Sequence, residues 1–268
     1  MRQRIQASFA TAHDLRGASV IVTRPSASAV PVVRQVRALE GEPIRLPGVA
    51  LRTIADAAAA RRELSKAQTA DLVIFSSPAA VSHAWTLCPS LRFAARVGVA
   101  AVGAATARAL RRRGVRTVLQ PPEQQDSSGL LALEALQNLH GRSVVLVGAP
   151  EGRDSLPRSL RDRGARLSQL DVYTRVAPRW TQRHLAALAA APKPRLLLVT
   201  SAFVLATLAT RLPAGLLLAL REAELVVSSL RLATLAQQHG FHRVHIARSA
   251  LTADLMSVAI DALARHRL

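Results

Sequence analysis

Cysteine is almost absent from this sequence, and its scarcity limits both the compartment and the chemistry. The only cysteine is Cys88, so no disulfide can form within the chain. This favours a reducing compartment and predicts a cytoplasmic protein. Cys88 stands beside Pro89 with no obvious catalytic partner in the sequence. We therefore interpret it as a bystander rather than as a nucleophile.

Aromatic residues and lysines are also scarce, although the chain is strongly basic. Aromatics make up 3% of the residues, the only lysines are Lys66 and Lys193, and arginines supply most of the net charge of +19. Such a charge favours an anionic partner, which could be nucleic acid, an anionic membrane or a polyacidic small molecule. Few aromatics are available for stacking bases. The one arginine run, 111–113, precedes Gly114 and is typical of a helix end. We predict no nucleic-acid partner.

Membrane and targeting signals are missing as well. The most apolar window, 196–220, is interrupted by Arg211 and Pro213, so it predicts a strand, a helix and a loop rather than a membrane span. The first 17 residues lack the apolar run of a secretory signal, and we interpret them as a frayed tail.

The sequence lacks the familiar catalytic and metal-binding motifs. It contains no HExxH, no CxxC, no evident Ser/His/Asp grouping and no glycine-rich phosphate fingerprint. His239, His242 and His245 are spaced by three, but they span a helix end, a glycine and a strand and would not share a face. We therefore predict no metal site.

The most informative stretch is 71–81, DLVIFSSPAAV. Its four apolar residues are too few for a helix and predict a short buried strand. Ser77 is suited to cap the helix that follows, and Pro78 suits the first helical turn. A strand that leads directly into a capped helix places amide groups and the helix dipole at the carboxyl end of a sheet, where they favour an anion.

The same plan returns later in the chain. RLLLVTSAFVL at 195–205 repeats it about 124 positions on, with Ser201 in the place of Ser77. The segments 18–25 and 142–150 form a second pair, and 99–114 and 225–240 form a third. The constant order and offset predict a duplication of one α/β unit.

Alternating strands and helices predict parallel sheets, whose ligands bind at the carboxyl ends of the strands. We also expect a strand at 115–119, a helix from Ser127 or Ser128 to about Leu139, a loop at 151–153 and an extended, alternating segment at 170–176. The residues predicted to bind the substrate at the strand ends are Thr23, Arg24, Ser76, Ser77, Gly103, Thr106, Gly148, Thr200, Ser201, Ser228 and Ser229.

Four strings give the sequence a family resemblance. TRP at 23–25, FSSPAAV at 75–81, AVGAATARAL at 101–110 and VYTRV at 172–176 resemble uroporphyrinogen-III synthases in their order and spacing. The resemblance implies two similar parallel-sheet α/β domains with a ligand cleft between them. Residues 1–47 and 177–268 would form the first domain and 54–169 the second. The segments 48–53 and 170–176 would link them.

The resemblance also implies an activity. The substrate would be hydroxymethylbilane, a linear tetrapyrrole with eight carboxylates, which the enzyme dehydrates and cyclises with inversion of the last ring, as a monomer and without a cofactor. Tyr173, the only tyrosine, matches the family tyrosine proposed as a proton donor, although a lone aromatic could equally serve in packing. The sequence departs from the family at Ala202 and at Leu230–Leu232. A non-catalytic polyanion-binding protein and a basic nucleic-acid-binding regulator remain alternatives.

Overall fold

The computed structural model of the protein describes residues 14–123, 126–150 and 155–266. The predicted loop at 151–153 and residues 1–13 of the predicted tail lie outside this part of the chain. The chain divides into two compact units: unit 1 comprises residues 1–50 and 176–268, and unit 2 comprises residues 51–175. The domain and linker boundaries drawn from the sequence stay a prediction.

The described residues form eleven strands and eleven α-helices. The strands are β1 Ser19–Val22, β2 Glu42–Arg45, β3 Ala50–Thr53, β4 Leu72–Phe75, β5 Gly98–Ala101, β6 Ser143–Gly148, β7 Arg166–Asp171, β8 Tyr173–Val176, β9 Arg195–Val199, β10 Glu224–Val227 and β11 Val244–Ile246. The helices are α1 Ser26–Ala38, α2 Ala57–Ala67, α3 Pro78–Leu87, α4 Ala104–Arg112, α5 Ser127–Leu131, α6 Ser155–Asp162, α7 Gln182–Ala190, α8 Ala202–Arg211, α9 Ala214–Arg221, α10 Leu230–Gln238 and α11 Thr252–His266.

Unit 1 is built on a five-stranded sheet with the order β11-β10-β9-β1-β2. All four pairings are parallel, and Ser19 of β1 lies opposite both Glu42 of β2 and Arg195 of β9. The strands β1, β9 and β10 are nearly continuous apolar runs because helices cover both faces of a parallel sheet. Valines of α1 pack with β1, β9 and α11 into one core on this sheet.

Unit 2 contains a four-stranded parallel sheet with the order β5-β4-β6-β7. Its central strand β4, LVIF, is fully buried, as the four apolar residues predict. Two apolar clusters lie on this sheet: Val73 and Phe75 point into one, and Leu72 and Ile74 into the other. The alternation follows from the twofold side-chain period of a strand.

The sheet orders show an exchange between the sequence repeats. Strands β1 and β2 come from the first repeat, and β1, with β2 on its other side, pairs with β9 of the second. Strands β6 and β7 come from the second repeat, and β6, with β7 on its other side, pairs with β4 of the first. Each sheet therefore combines the leading strands of one repeat with the later strands of the other.

The segment at 170–176 is extended on both sides of Val172, as predicted, but it belongs to two sheets. Strand β7 ends at Asp171, and β8 begins at Tyr173 and pairs with β3 in a two-stranded sheet. Between them, the Val172 amide donates to Gly148 (3.0 Å) and the Val172 carbonyl accepts from Ile54 (3.2 Å). Val172 is therefore the corner at which the chain leaves one sheet for the other.

Two predicted elements are wrong. At 115–119 the chain forms only an isolated bridge between Leu119 and Ala100, and no named strand. The helix expected to reach Leu139 stops at Leu131, whose carbonyl accepts hydrogen bonds from the side chains of Gln137 (2.8 Å) and Arg163 (2.6 Å). These donors satisfy the helix end, so the chain can turn there.

The long apolar window at 196–220 is interrupted as predicted. It contains most of β9, all of α8 and, beyond Pro213, most of α9, a helix that the sequence reasoning did not anticipate. The described helices include none with the length and apolar character needed to cross a membrane.

Candidate functional site

A cavity of about 480 Å³ lies at the carboxyl edge of the sheet in unit 2. Its size is within the range of small-molecule sites. It lies where β4 and β6 end, as expected for ligands of parallel sheets. Its lining includes residues that the sequence predicted, namely Ser76, Ser77, Gly148 and Tyr173.

Ser77 fixes the start of α3 as the sequence predicted. It is the N-cap residue, its hydroxyl oxygen accepts a hydrogen bond from the Ala80 amide (3.1 Å), and Pro78 occupies the first helical position. The cap satisfies an amide that would otherwise lack a partner at the helix start. It also directs the positive end of α3 toward the cavity edge.

Tyr173 lies against this helix start. Its phenol oxygen shares a hydrogen bond of 3.2 Å with Ser77 Oγ, and the residue is only 5% exposed. Because Ser77 Oγ already accepts from Ala80, its own proton can be donated to the phenol oxygen. In that arrangement the phenol proton is available to a group in the cavity.

Two residues that the sequence reasoning missed complete the surroundings of Tyr173. The imidazole of His83, on α3, stacks on the phenol ring with centroids 5.2 Å apart and planes inclined by 22°. His83 Nδ1 shares a hydrogen bond of 2.9 Å with Thr53 Oγ1, on β3. Burial lowers the pKa of His83 below its ordinary value of 6.5, which favours the neutral ring at pH 7. No sequence motif marks either residue.

Gly148 allows Ser76 to approach the end of β6. A Cβ at position 148 would lie 2.8 Å from Ser76 Oγ. Since real Cβ atoms do not come this close, any side chain here would turn the Ser76 hydroxyl away. Glycine therefore keeps this side of the cavity open.

The other predicted residues of unit 2 lie outside the described lining. Gly103 is the N-cap of α4 in an extended conformation, without a side-chain cap. Thr106 lies within the first turn of that helix and is only 3% exposed. Their predicted contact with substrate stays a prediction.

In unit 1 the predicted residues follow the ends of β1, β9 and β10. These strands are parallel neighbours, so their carboxyl ends meet at one edge. The residues at this edge are Thr23 and Arg24 after β1, Thr200 and Ser201 after β9, and Ser228 and Ser229 after β10.

Several of these side chains already have structural partners. Thr23 is buried and donates to the Leu198 carbonyl (2.7 Å), and Arg24 donates to the Ala250 carbonyl (2.6 Å). Ser229 caps α10 by accepting from the Leu232 amide (3.4 Å). Ser201 occupies the N-cap position of α8 without a side-chain cap bond, unlike its counterpart Ser77. Binding of substrate by any of them stays a prediction.

Charged groups of both signs line the cavity of unit 2. Arg175 is the cationic residue of the described lining, and Asp126 and Asp171 are acidic. Asp126 accepts from the amides of Ser128 (2.9 Å) and Gly129 (3.0 Å) and so caps α5. Burial raises the pKa of Asp171 above its ordinary value of 3.8. The surroundings of Asp171 therefore disfavour its charge.

Replacing Asp171 by asparagine is expected to stabilise the protein more at pH 7 than at pH 4. Because folding raises the pKa of Asp171, the folded protein binds more protons than the unfolded chain above pH 3.8. The free energy of unfolding therefore falls as the pH rises. Asparagine does not titrate, so the substitution removes this fall in the free energy of unfolding. Since the carboxyl is partly solvated, we expect a gain of roughly 1–2 °C in Tm at neutral pH.

Thermal melts followed by circular dichroism at both pH values would measure the difference. Glu123→Gln is the matched control, because Glu123 is an exposed carboxylate in a turn of the same unit. An equal gain for Asp171→Asn at pH 4 and pH 7 would show that the carboxyl carries no burial penalty.

The histidines at 239, 242 and 245 do not form a metal site in the structure. His245 Nε2 pairs with the buried Glu224 Oε2 at 2.6 Å, while His239 follows α10 and His242 precedes β11. Over residues 14–123, 126–150 and 155–266, no grouping of histidine, cysteine and acidic side chains could hold a metal ion.

These features define a class of protein with two α/β units, each built on a parallel sheet. One unit carries a cavity at the carboxyl edge of its sheet, and a phenol and serine hydroxyls line this cavity. The family model described as uroporphyrinogen-III synthase HemD matches residues 31–257. The chain therefore belongs to the uroporphyrinogen-III synthase family.

Curated relatives agree with this assignment. The uroporphyrinogen-III synthase of Escherichia coli is 28% identical over 253 residues, and that of Salmonella typhimurium is 30% identical over 245 residues. Each alignment covers 87% of this chain and 96% of the relative. A relative in Methanothermobacter thermautotrophicus is 31% identical over 156 residues, which cover 57% of this chain and 60% of that protein.

Solved structures show the same fold. Uroporphyrinogen-III synthetase from Helicobacter pylori matches with a TM-score of 0.60 at 17% identity, and a mutant uroporphyrinogen III synthase from Thermus thermophilus with 0.54 at 18%. Both matches cover 92% of this chain and 99% of the solved chain. At these identities the likeness concerns the fold alone.

Proposed function

We propose that this protein cyclises hydroxymethylbilane to uroporphyrinogen III, with loss of one water and inversion of the terminal pyrrole ring. Its membership of the uroporphyrinogen-III synthase family supports this reaction. The observation within the structure that carries the proposal is the Tyr173–Ser77 hydrogen bond at the edge of a cavity of small-molecule size.

The chemistry needs few protein groups. The terminal hydroxyl of the substrate leaves as water once it gains a proton, and the remaining cation is stabilised by resonance over the pyrrole. The terminal ring then attacks this cation through the carbon that carries its bridge, the old bridge bond breaks, and the bridge bonds again to the other α-carbon, so that the ring is inverted and the macrocycle closes. That carbon loses its proton, which can return to the phenolate. A flexible chain must be held in that arrangement, so positioning contributes much of the catalysis.

Tyr173 is the proposed proton donor for the leaving hydroxyl. With Ser77 donating to its oxygen, the phenol can present its own proton toward the cavity. Burial of the phenol keeps bulk water from competing for that proton. General acid assistance of this kind contributes typically about 10²–10⁴-fold to a rate.

Recognition of the substrate is proposed to rest on its negative charge. A molecule with eight carboxylates is attracted by a chain with a net charge of +19. Helix N-termini at the sheet edges, including that of α3, favour anions. Thr23, Arg24, Ser76, Ser77, Gly103, Thr106, Gly148, Thr200, Ser201, Ser228 and Ser229 remain the proposed binding residues.

The proposal also includes that the protein is a monomer, that it lies in the cytoplasm and that it binds no nucleic acid. The single cysteine supports a reducing compartment. The few aromatic residues argue against a surface that stacks bases.

Incubation with hydroxymethylbilane tests the reaction directly. Because the linear substrate closes spontaneously to the type I isomer, we expect type III uroporphyrinogen only when the protein is present. Isomer separation by chromatography measures the ratio. Type I alone would point instead to a binding protein, and tight, salt-sensitive binding of duplex DNA would favour a nucleic-acid regulator.

A further inference from the structure

The phenol of Tyr173 is held by helix α3 at two points. Ser77, at the start of the helix, bonds its hydroxyl at 3.2 Å. His83, on the same helix, stacks on the ring with a centroid separation of 5.2 Å. One helix therefore contacts both the oxygen and the face of the proposed proton donor.

The imidazole is itself held from another element. Thr53 Oγ1, on β3, lies 2.9 Å from His83 Nδ1. Strand β3 pairs with β8, which begins at Tyr173. The imidazole is thus hydrogen-bonded to β3, the strand that pairs with the strand of Tyr173. The hydrogen bond to Thr53 and the stacking on Tyr173 together restrict its orientation.

His83 contacts the ring face of Tyr173 rather than the phenol oxygen, so the contact suits a positioning role and not a role in proton transfer. The contact between His83 and Tyr173 joins the faces of two rings, while the phenol oxygen is bonded to Ser77. Burial lowers the pKa of His83, which favours the uncharged ring beside the phenol at pH 7. A neutral, flat, hydrogen-bonded ring supplies a fixed surface for the phenol to pack against.

We propose that His83, held by Thr53, is a positioning residue that fixes the phenol of Tyr173 for proton donation. The inference rests on the proposed function, because it assigns His83 a role in that reaction. A displacement of the phenol by about 1 Å can lower the rate by as much as 10²-fold. The role is realised in the transition state, so it affects kcat rather than KM.

Three substitutions test the role by kinetics. His83→Ala removes the stacked ring and is expected to lower kcat by about 10- to 100-fold with KM changed less than about twofold. His83→Phe keeps a stacked ring without the hydrogen bond and is expected to recover most of that loss. Thr53→Val keeps the shape but removes the hydroxyl and is expected to lower kcat by a smaller factor.

His140→Ala is the matched control, because His140 is an exposed histidine of the same unit outside the described lining of the cavity. It is expected to leave kcat unchanged. Kinetics are normalised to the folded fraction, so a loss of stability alone moves neither kcat nor KM. An unchanged kcat in His83→Ala, beside an active wild-type protein, would overturn the inference.

A spectroscopic measurement tests the contact without turnover. Since Tyr173 is the only tyrosine, isotope-labelled tyrosine gives the ring signals of this one residue in an NMR spectrum. Loss of the stacked imidazole in His83→Ala is expected to move these signals and to speed ring flipping, while His140→Ala leaves them in place. Unmoved signals would overturn the stacking contact and the inference.

The two measurements distinguish the possible failures. If the wild-type protein forms no type III isomer although the tyrosine signals respond to His83→Ala, the proposed function fails and the catalytic role of His83 falls with it, while the contact stands. If the wild-type protein is active and His83→Ala leaves kcat unchanged, only the positioning role of His83 is refuted.

Discussion

Replacing Tyr173 by phenylalanine is expected to lower kcat by about 10²–10⁴-fold while leaving KM nearly unchanged. The substitution removes the proposed acid but keeps the ring that packs against His83. Because the hydroxyl assists departure of the leaving group, its loss affects the transition state more than the bound substrate. Initial rates of type III isomer formation over a range of hydroxymethylbilane concentrations would separate the two constants.

Ser77→Ala provides the comparison for this experiment. It keeps the phenol but removes the hydrogen bond to its oxygen and the cap of α3. We expect a smaller decrease in kcat together with a loss of stability of about 1 kcal/mol from the missing cap. If Tyr173→Phe retained full turnover, Tyr173 would be a packing residue and the proton donor would have to be sought elsewhere.

Replacing Gly48 by alanine is expected to destabilise unit 1 by about 1–3 kcal/mol, near the upper end of that range. Gly48 is buried, and its amide donates to the Thr23 carbonyl at 2.8 Å. An added Cβ would overlap Val204 Cγ1 and lie 3.1 Å from its Cβ and Cγ2. Val204 belongs to the buried face of α8, so the methyl group forces the Val204 side chain, the helix or the segment at 48 to move.

Urea unfolding would measure this loss. Val204→Ala should relieve the overlap, so the double variant is expected to be more stable than the sum of the two single losses predicts. Gly215→Ala is the matched control, since a Cβ there meets open space within helix α9, and we expect a gain of about 0.5–1 kcal/mol. Equal stability of Gly48→Ala and the wild-type protein would contradict the close contact.

The parts of the fold that the sequence predicts well depend on local chemistry. The apolar run before Ser77 and Pro78 predicts both a buried strand and a capped helix start, and the structure confirms both. The arginines at 111–113 close α4 before Gly114, which has a positive φ of 88°. Each of these features is determined within a few residues of chain.

The features that the sequence does not predict involve partners that are distant in sequence. Val172 divides the segment 170–176 because its amide and its carbonyl bond to different sheets, through Gly148 and Ile54. Helix α5 ends early where Arg163 donates to the carbonyl of its last residue, Leu131. An apolar pattern carries no information about such partners.

The candidate site was predictable to a similar degree. Ser76, Ser77 and Gly148 follow predicted strands, so the rule for carboxyl ends places them at one edge. His83 lies in the middle of a helix, six positions beyond Ser77, and its importance depends on Thr53 and Tyr173 from other elements. Only the folded chain brings these three side chains together.

The pairing of β3 with β8 has a consequence for the order in which the protein folds during synthesis. Unit 2 is one continuous segment, whereas β1 can pair with β9 only after roughly 170 more residues have been synthesised. Once unit 2 has folded, Ile54 and Val172 are bonded, so the free chain between β1 and β9 shortens to roughly 50 residues and the entropy cost of joining them falls by about 1 kcal/mol. The folding of unit 2 therefore brings β9, which is synthesised later, closer along the chain to β1.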